Sequence, residues 1–292
     1  MNRRLIVFCS TVLLISLVAT GCGGNNSPIE SASSSTPQTE TAPAAPSASA
    51  PIPESPSASP SASESAQPSA TPEPTEIAKT YKMNKNYFIV PIDKETTEKK
   101  VVLLTFDDGP KDKATLEPLL DTLDKHQAKA IFFVNGYRVK ANPELLKTID
   151  ERNQVIGNHS WDHISLKKEK APKIKEQIEN VQAIVKEVTG KTPVFFRPPF
   201  GASNDYVREV AKDNGLLFMT WSNGSLDWDM NKTPEAKRPQ AVIDNVMEQL
   251  NPGSNILMHE LPWTAKALDD LLTQLEQKGY TFVDPNAIDT EL

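Results

Sequence analysis

Val101-Val102-Leu103-Leu104-Thr105-Phe106-Asp107-Asp108-Gly109-Pro110 joins an apolar, β-favouring run to two adjacent carboxylates and a Gly-Pro stop. A run of that length, bounded by Gly and Pro, reads as a strand buried on both faces. In sheets covered by helices, reactive side chains stand where strands end. Two neighbouring carboxylates at such an end repel unless a cation lies beside them. The pair therefore signals a metal or, because Asp and Gly are common turn residues, an ordinary turn. Both readings stay open on this stretch alone.

Further apolar runs of strand length occupy residues 130–134, 154–157, 194–196, 216–221, 255–258 and 280–283. Between most of them, residues 116–126, 143–152, 172–189, 204–214, 240–250 and 264–278 space apolar residues at three and four, the helical period. Pro143 and Pro172 stand early in two of these stretches, and Gly190, Gly215 and Gly279 lie just past the ends of three. Seven strands alternating with helices predict an α/β domain with a mainly parallel sheet, either a small barrel or an open sheet. Tyr87 to Val90 is read as a further strand, with no role assigned to residues 79–100.

Four more runs end in polar groups. His159 and His163 stand four apart in His159-Ser160-Trp161-Asp162-His163 and, on a helical turn, would face one way and share a metal. With Asp108 they make two imidazoles and one carboxylate, a known set for catalytic zinc with a position left for water. Arg197 opens Arg197-Pro198-Pro199-Phe200-Gly201, where a permanent cation can orient Asp107; a structural ion pair is the competing account. Asp227-Trp228 and Leu257-Met258-His259 complete the set. A carboxylate facing His259 would fix its tautomer and raise its pKa, and Leu257 and Trp228 can wall a small acyl methyl. Taken singly, such a His or Trp is better explained as packing; the joint placement is what points to a site.

These five segments resemble the five motifs of the polysaccharide deacetylase family, the group of carbohydrate esterases with the NodB homology domain, over residues 98–284. The resemblance implies a distorted (β/α) barrel of about seven strands with an incomplete ring. It also implies Asp107 as catalytic base, Asp108, His159 and His163 as metal ligands, Arg197 orienting the base, Asp227 partnering His259, and His259 as general acid. Phe200, Trp228 and Leu257 would contact substrate, with a backbone N–H near Phe200 binding the oxyanion. The implied cofactor is a divalent metal, zinc first, with cobalt, nickel or manganese as alternatives. The implied reaction is removal of N-acetyl groups from cell-wall polysaccharide, foremost N-acetylglucosamine of peptidoglycan, with release of acetate. An O-deacetylase, a chitooligosaccharide deacetylase and a non-catalytic glycan-binding lipoprotein are the alternatives. Gly224, where many relatives carry an acid, and Glu260, where the last motif commonly reads His-Asp, depart from the pattern.

Residues 1–22 read as a secretory leader, with Arg3 and Arg4 ahead of an apolar stretch and small residues before Cys22. The apolar part is shorter than the roughly 20 residues a membrane span needs. It resembles a lipoprotein signal with lipid on Cys22, which places the protein outside the cell on the bacterial membrane surface. Residues 23–78 hold 11 of the 24 prolines among Ser, Ala, Thr and Glu, and read as a disordered tether. Residues 79–292 are the expected deacetylase domain, read as a monomer. With Cys9 in the leader and Cys22 lipidated, no thiol remains for a disulfide. The net charge of −7, 31 Lys and Arg against 38 Asp and Glu, argues against a nucleic-acid partner.

Overall fold

The computed structural model describes residues 77–291, so the leader, Cys22 and almost all of the expected tether lie outside the described residues. A hairpin comes first, β1 (Tyr81–Met83) and β2 (Ile89–Pro91), paired antiparallel. Then follow β3 (Val101–Gly109), α1 (Lys113–Lys125), β4 (Ala130–Val134), α2 (Gly136–Ala141), α3 (Pro143–Glu151), β5 (Val155–Asn158), α4 (Ala171–Thr189), β6 (Phe195–Phe196) and α5 (Asp205–Asp213). The chain ends with β7 (Leu217–Phe218), β8 (Asn223–Gly224), α6 (Arg238–Glu248), β9 (Ser254–His259), α7 (Pro262–Gln277) and β10 (Thr281–Phe282). All seven expected strands and all six expected helices are present. The run at 216–221 is shorter as a strand than expected, β1, α2 and β8 are additions, and the expected strand near Tyr87 is β2.

The sheet runs β7-β6-β5-β4-β3-β9-β8 with every pairing parallel, and β10 joins the start of β3. Its two edges, β7 and β8, are consecutive in the chain, with only residues 219–222 between them. Six inter-strand spacings in a flat sheet would separate these edges by about 29 Å. The five residue steps from Phe218 to Asn223 reach at most about 17 Å. The sheet must therefore curl. Met219 N–H still bonds Phe196 O (2.9 Å) on one side and Ser222 N–H bonds Asn255 O (3.1 Å) on the other, so the chain itself bridges the gap in an incomplete barrel.

Alternation along β3 sorts the core. Val102, Leu104 and Phe106 join the cluster under the helices, while Val101 and Leu103 pack with Ile131, Phe133, Phe195 and Met219 inside the barrel. Thr105 and Asp107 continue that interior series by the period of two. Local signals set the helices. Asp112 accepts the Thr115 N–H (2.9 Å) at the start of α1, Pro143 and Pro172 sit in first turns, and Gly190 ends α4 with φ of 75°.

The hairpin explains residues 79–92. Ile89 is buried in the interior cluster with Tyr81, Met83 and Tyr87 packed around it, and its N–H bonds Gly253 O (2.8 Å) just before β9. It closes the end of the barrel where the strands begin. Gly253 has φ of 81°, and a Cβ there would lie 2.1 Å from Ile89 O, so only glycine permits this approach. Truncating Ile89 to Ala should cost about 2–5 kcal/mol of stability, measured by urea unfolding.

Candidate active site

The strand ends opposite the hairpin converge on one cavity of about 420 Å³. It is lined by Asp107, Asp108, His159, His163 and His259, with Phe200, Leu257, Trp228 and Trp221 as its apolar walls. Strand pleating would send neighbours Asp107 and Asp108 to opposite faces. A bulge prevents this: Asp107 pairs with Phe133 and Gly109 with Val134, so Asp108 is an extra residue in β3, and its φ of 68° turns its carboxyl back to the cavity.

His159 and His163 reach the same point without a helix. The segment is irregular, with Ser160 and His163 at φ of 67° and 54°, which corrects the expected helical turn. Asp108 Oδ1 stands 3.4 Å from His159 Nε2 and 3.1 Å from His163 Nε2. Neither contact has hydrogen-bond geometry, and this oxygen is buried without a partner among the described residues. His159 Nδ1 donates to Arg197 O at 2.6 Å, which leaves the Nε2 lone pair pointing at Asp108. Donors each about 2.1 Å from one tetrahedral centre lie about 3.4 Å apart, close to the two separations measured from Asp108 Oδ1. Burial disfavours ionised Asp108, but imidazoles protonated on Nε2 and facing it outweigh burial and hold its carboxyl far below the usual carboxylate range; a cation taking the place of those protons acts in the same direction. These three ligand atoms, within 4.8 Å of one another, fit a divalent cation.

Arg197 lies inside the barrel with no exposed surface. Its Nη1 donates to Asp107 Oδ1 (2.7 Å) and Thr105 Oγ1 (2.8 Å), its Nη2 to Thr220 O (2.8 Å) and Asn255 Oδ1 (3.2 Å). The guanidinium also stacks 4.3 Å over Phe133. Burial lowers its pKa, and Asp107 opposes that shift.

On the other wall, His259 Nδ1 meets Asp227 Oδ1 at 2.8 Å. Asp227 is fully buried, and its Oδ2 accepts the His259 N–H (2.7 Å) and Thr264 Oγ1 (2.7 Å). Burial favours a neutral ring, yet Asp227, with Asp107 and Asp108 beyond, keeps the His259 pKa above that of an ordinary histidine. Trp228 stands edge-on to this ring at 5.3 Å and Phe200 edge-on to His163 at 4.8 Å.

Every expected site residue within the described chain reaches this cavity or touches one that lines it. Sequence reading missed Thr105, Asn255 and Thr264, which hold the charged groups, and Trp221. Thr105 alone carried a signal, two residues before Asp107 on the interior face. Of the departures, Gly224 pairs both backbone groups with the Gln249 amide (3.2 and 2.8 Å), and a Cβ there would meet Trp228 at 3.5 Å, ordinary contact. Replacing Arg197 with Met strands a buried carboxylate at Asp107, and should cost about 3–5 kcal/mol in chemical unfolding.

The polysaccharide deacetylase family profile matches residues 94–219. The peptidoglycan-N-acetylmuramic acid deacetylase PdaA of Bacillus subtilis is 36% identical over 188 residues, 64% of this chain and 70% of that protein. The structure of the peptidoglycan deacetylase PdaC of Bacillus subtilis is similar at a TM-score of 0.57 and 35% identity, covering 64% of this chain and 89% of that one. A Bacillus anthracis structure described as a pseudoenzyme of the CE4 family is similar at a TM-score of 0.60 and 31% identity, covering 65% and 67%. By this identity and coverage, the chain belongs to the polysaccharide deacetylase family.

Proposed function

We propose that this protein hydrolyses the N-acetyl group of a sugar in cell-wall polysaccharide, most naturally peptidoglycan, releasing acetate and a free amine. The observation that carries this reading is one cavity with the Asp108-His159-His163 cluster at its floor, a carboxylate held by Arg197 on one side and an imidazole held by Asp227 on the other. Related proteins named as peptidoglycan deacetylases support the substrate class.

Asp108, His159 and His163 would hold the metal, with zinc first by the chemistry of two imidazoles and one carboxylate. A divalent cation there supplies Lewis-acid polarisation of the acetyl carbonyl and draws the pKa of a water toward neutrality. Asp107, its other oxygen anchored by Arg197, is the base that takes the proton from the attacking water. The Phe200 N–H, which has no acceptor among the described residues, is the donor assigned to the developing oxyanion. His259 holds its proton through Asp227 and delivers it to the departing amine. Trp228 and Leu257 enclose the methyl.

The presence of base, acid and all three metal-binding side chains favours an enzyme over a glycan-binding relative that lacks turnover. Acetate release from peptidoglycan fragments and N-acetylglucosamine oligomers tests this, and activity only on acetate esters would overturn the amide reading. His259→Ala should lower kcat by about 10²–10⁴. A general acid works below its pKa, so the raised value of His259 carries activity to higher pH; Asp227→Asn should move the alkaline limb of kcat downward. Export and anchoring through Cys22 belong to the same proposal, carried by residues 1–22. Metabolic labelling with a fatty-acid analogue should mark the protein and fail with Cys22→Ser.

A further inference from the structure

Glu260 follows His259 in the chain, yet its side chain turns away from the cavity and under the metal-bearing loop. It is 1% exposed and makes one hydrogen bond, accepting the Lys111 N–H on Oε2 at 3.0 Å. Its Oε1 is buried with no partner among the described residues. Burial, opposed in part by the Lys111 N–H, pushes its carboxyl up to about 7. A buried carboxyl this poorly solvated is unfavourable for stability, and such groups persist where placement serves a site.

Its placement is specific. A Cβ on Gly109 would lie 1.7 Å from Glu260 Oε1 and 2.6 Å from its Cδ, so the carboxyl fills the volume a side chain at 109 would take. Gly109 and Lys111 flank Pro110 directly after Asp108, and Glu260 therefore grips both ends of that turn. From the opposite side, Gly109 O accepts the Asn135 N–H at 2.9 Å. Asp108 itself sits in the left-handed region, which a non-glycine residue keeps only when its surroundings over-determine it. We infer that Glu260 is a positioning residue that locks residues 109–111 and so holds Asp108 Oδ1 opposite His159 and His163.

This rests on the metal-site reading above. The test measures zinc affinity of the full chain by competition with a chromophoric chelator, and the visible spectrum of the cobalt form, for wild type, Glu260→Gln, Glu260→Asp and Glu260→Ala. Gln keeps the length and an acceptor for Lys111, and should bind zinc within about threefold of wild type. Ala leaves Gly109 unsupported and should lose about 10–100-fold in affinity with an altered cobalt spectrum. Asp, one methylene short, should fall between them, and it decides together with Gln if the Ala variant does not fold. Wild-type affinity and spectrum in Ala and Asp would overturn the role of Glu260, as would a loss in Gln equal to that in Asp. No metal uptake by the wild type would overturn the metal-site reading itself.

Discussion

The buried guanidinium of Arg197 is the constraint on which the rest of the site depends. A permanent cation inside a barrel is tolerable only if most of its donors are met, and four acceptors on three parts of the sheet meet both Nη groups: Asp107 and Thr105 on β3, Asn255 on β9 and Thr220 O in the gap between β7 and β8, with Nε left buried without a partner among the described residues. The same residue's carbonyl sets the tautomer of His159. The orientation of Asp107, the orientation of His159 and closure of the curled sheet therefore share one group, and none can move alone.

The second constraint is backbone shape. A regular strand cannot present two consecutive carboxylates to one cavity, and the bulge at Asp108 solves this by spending one residue out of register. The left-handed residues at Asp108, Ser160, His163 and Phe200 lie at or beside the Asp108-His159-His163 cluster, where irregular backbone aims side chains that regular strands would send elsewhere. The helices and the hairpin plug at the far end supply the packing that makes such local departures affordable.

The two walls divide the electrostatics. On one, the Asp107 carboxyl is oriented by a cation; on the other, the Asp227 carboxylate holds the His259 ring and raises its pKa. A carboxyl paired with a cation and an imidazole paired with an anion thus face one another across one small cavity.

The α/β alternation, the seven core strands and the identity of the polar groups ending them were legible along the chain, because strand and helix periods are local properties of apolar spacing. So was Asp107 as an interior group, by its step of two from Thr105 and Leu103. Periodicity could not distinguish barrel from open sheet; that came from the edge strands β7 and β8 being four residues apart, a fact about strand order. Nor could it show that the His159-His163 pair meets Asp108 through a bulge and left-handed turns instead of a helical turn, that Ile89 plugs the barrel, or that Glu260 lies beneath Gly109. Sequence by itself determined which chemical groups stand at the strand ends. Tertiary structure alone decided that they share one cavity, because that depends on long-range pairing and on backbone bends that no local pattern encodes.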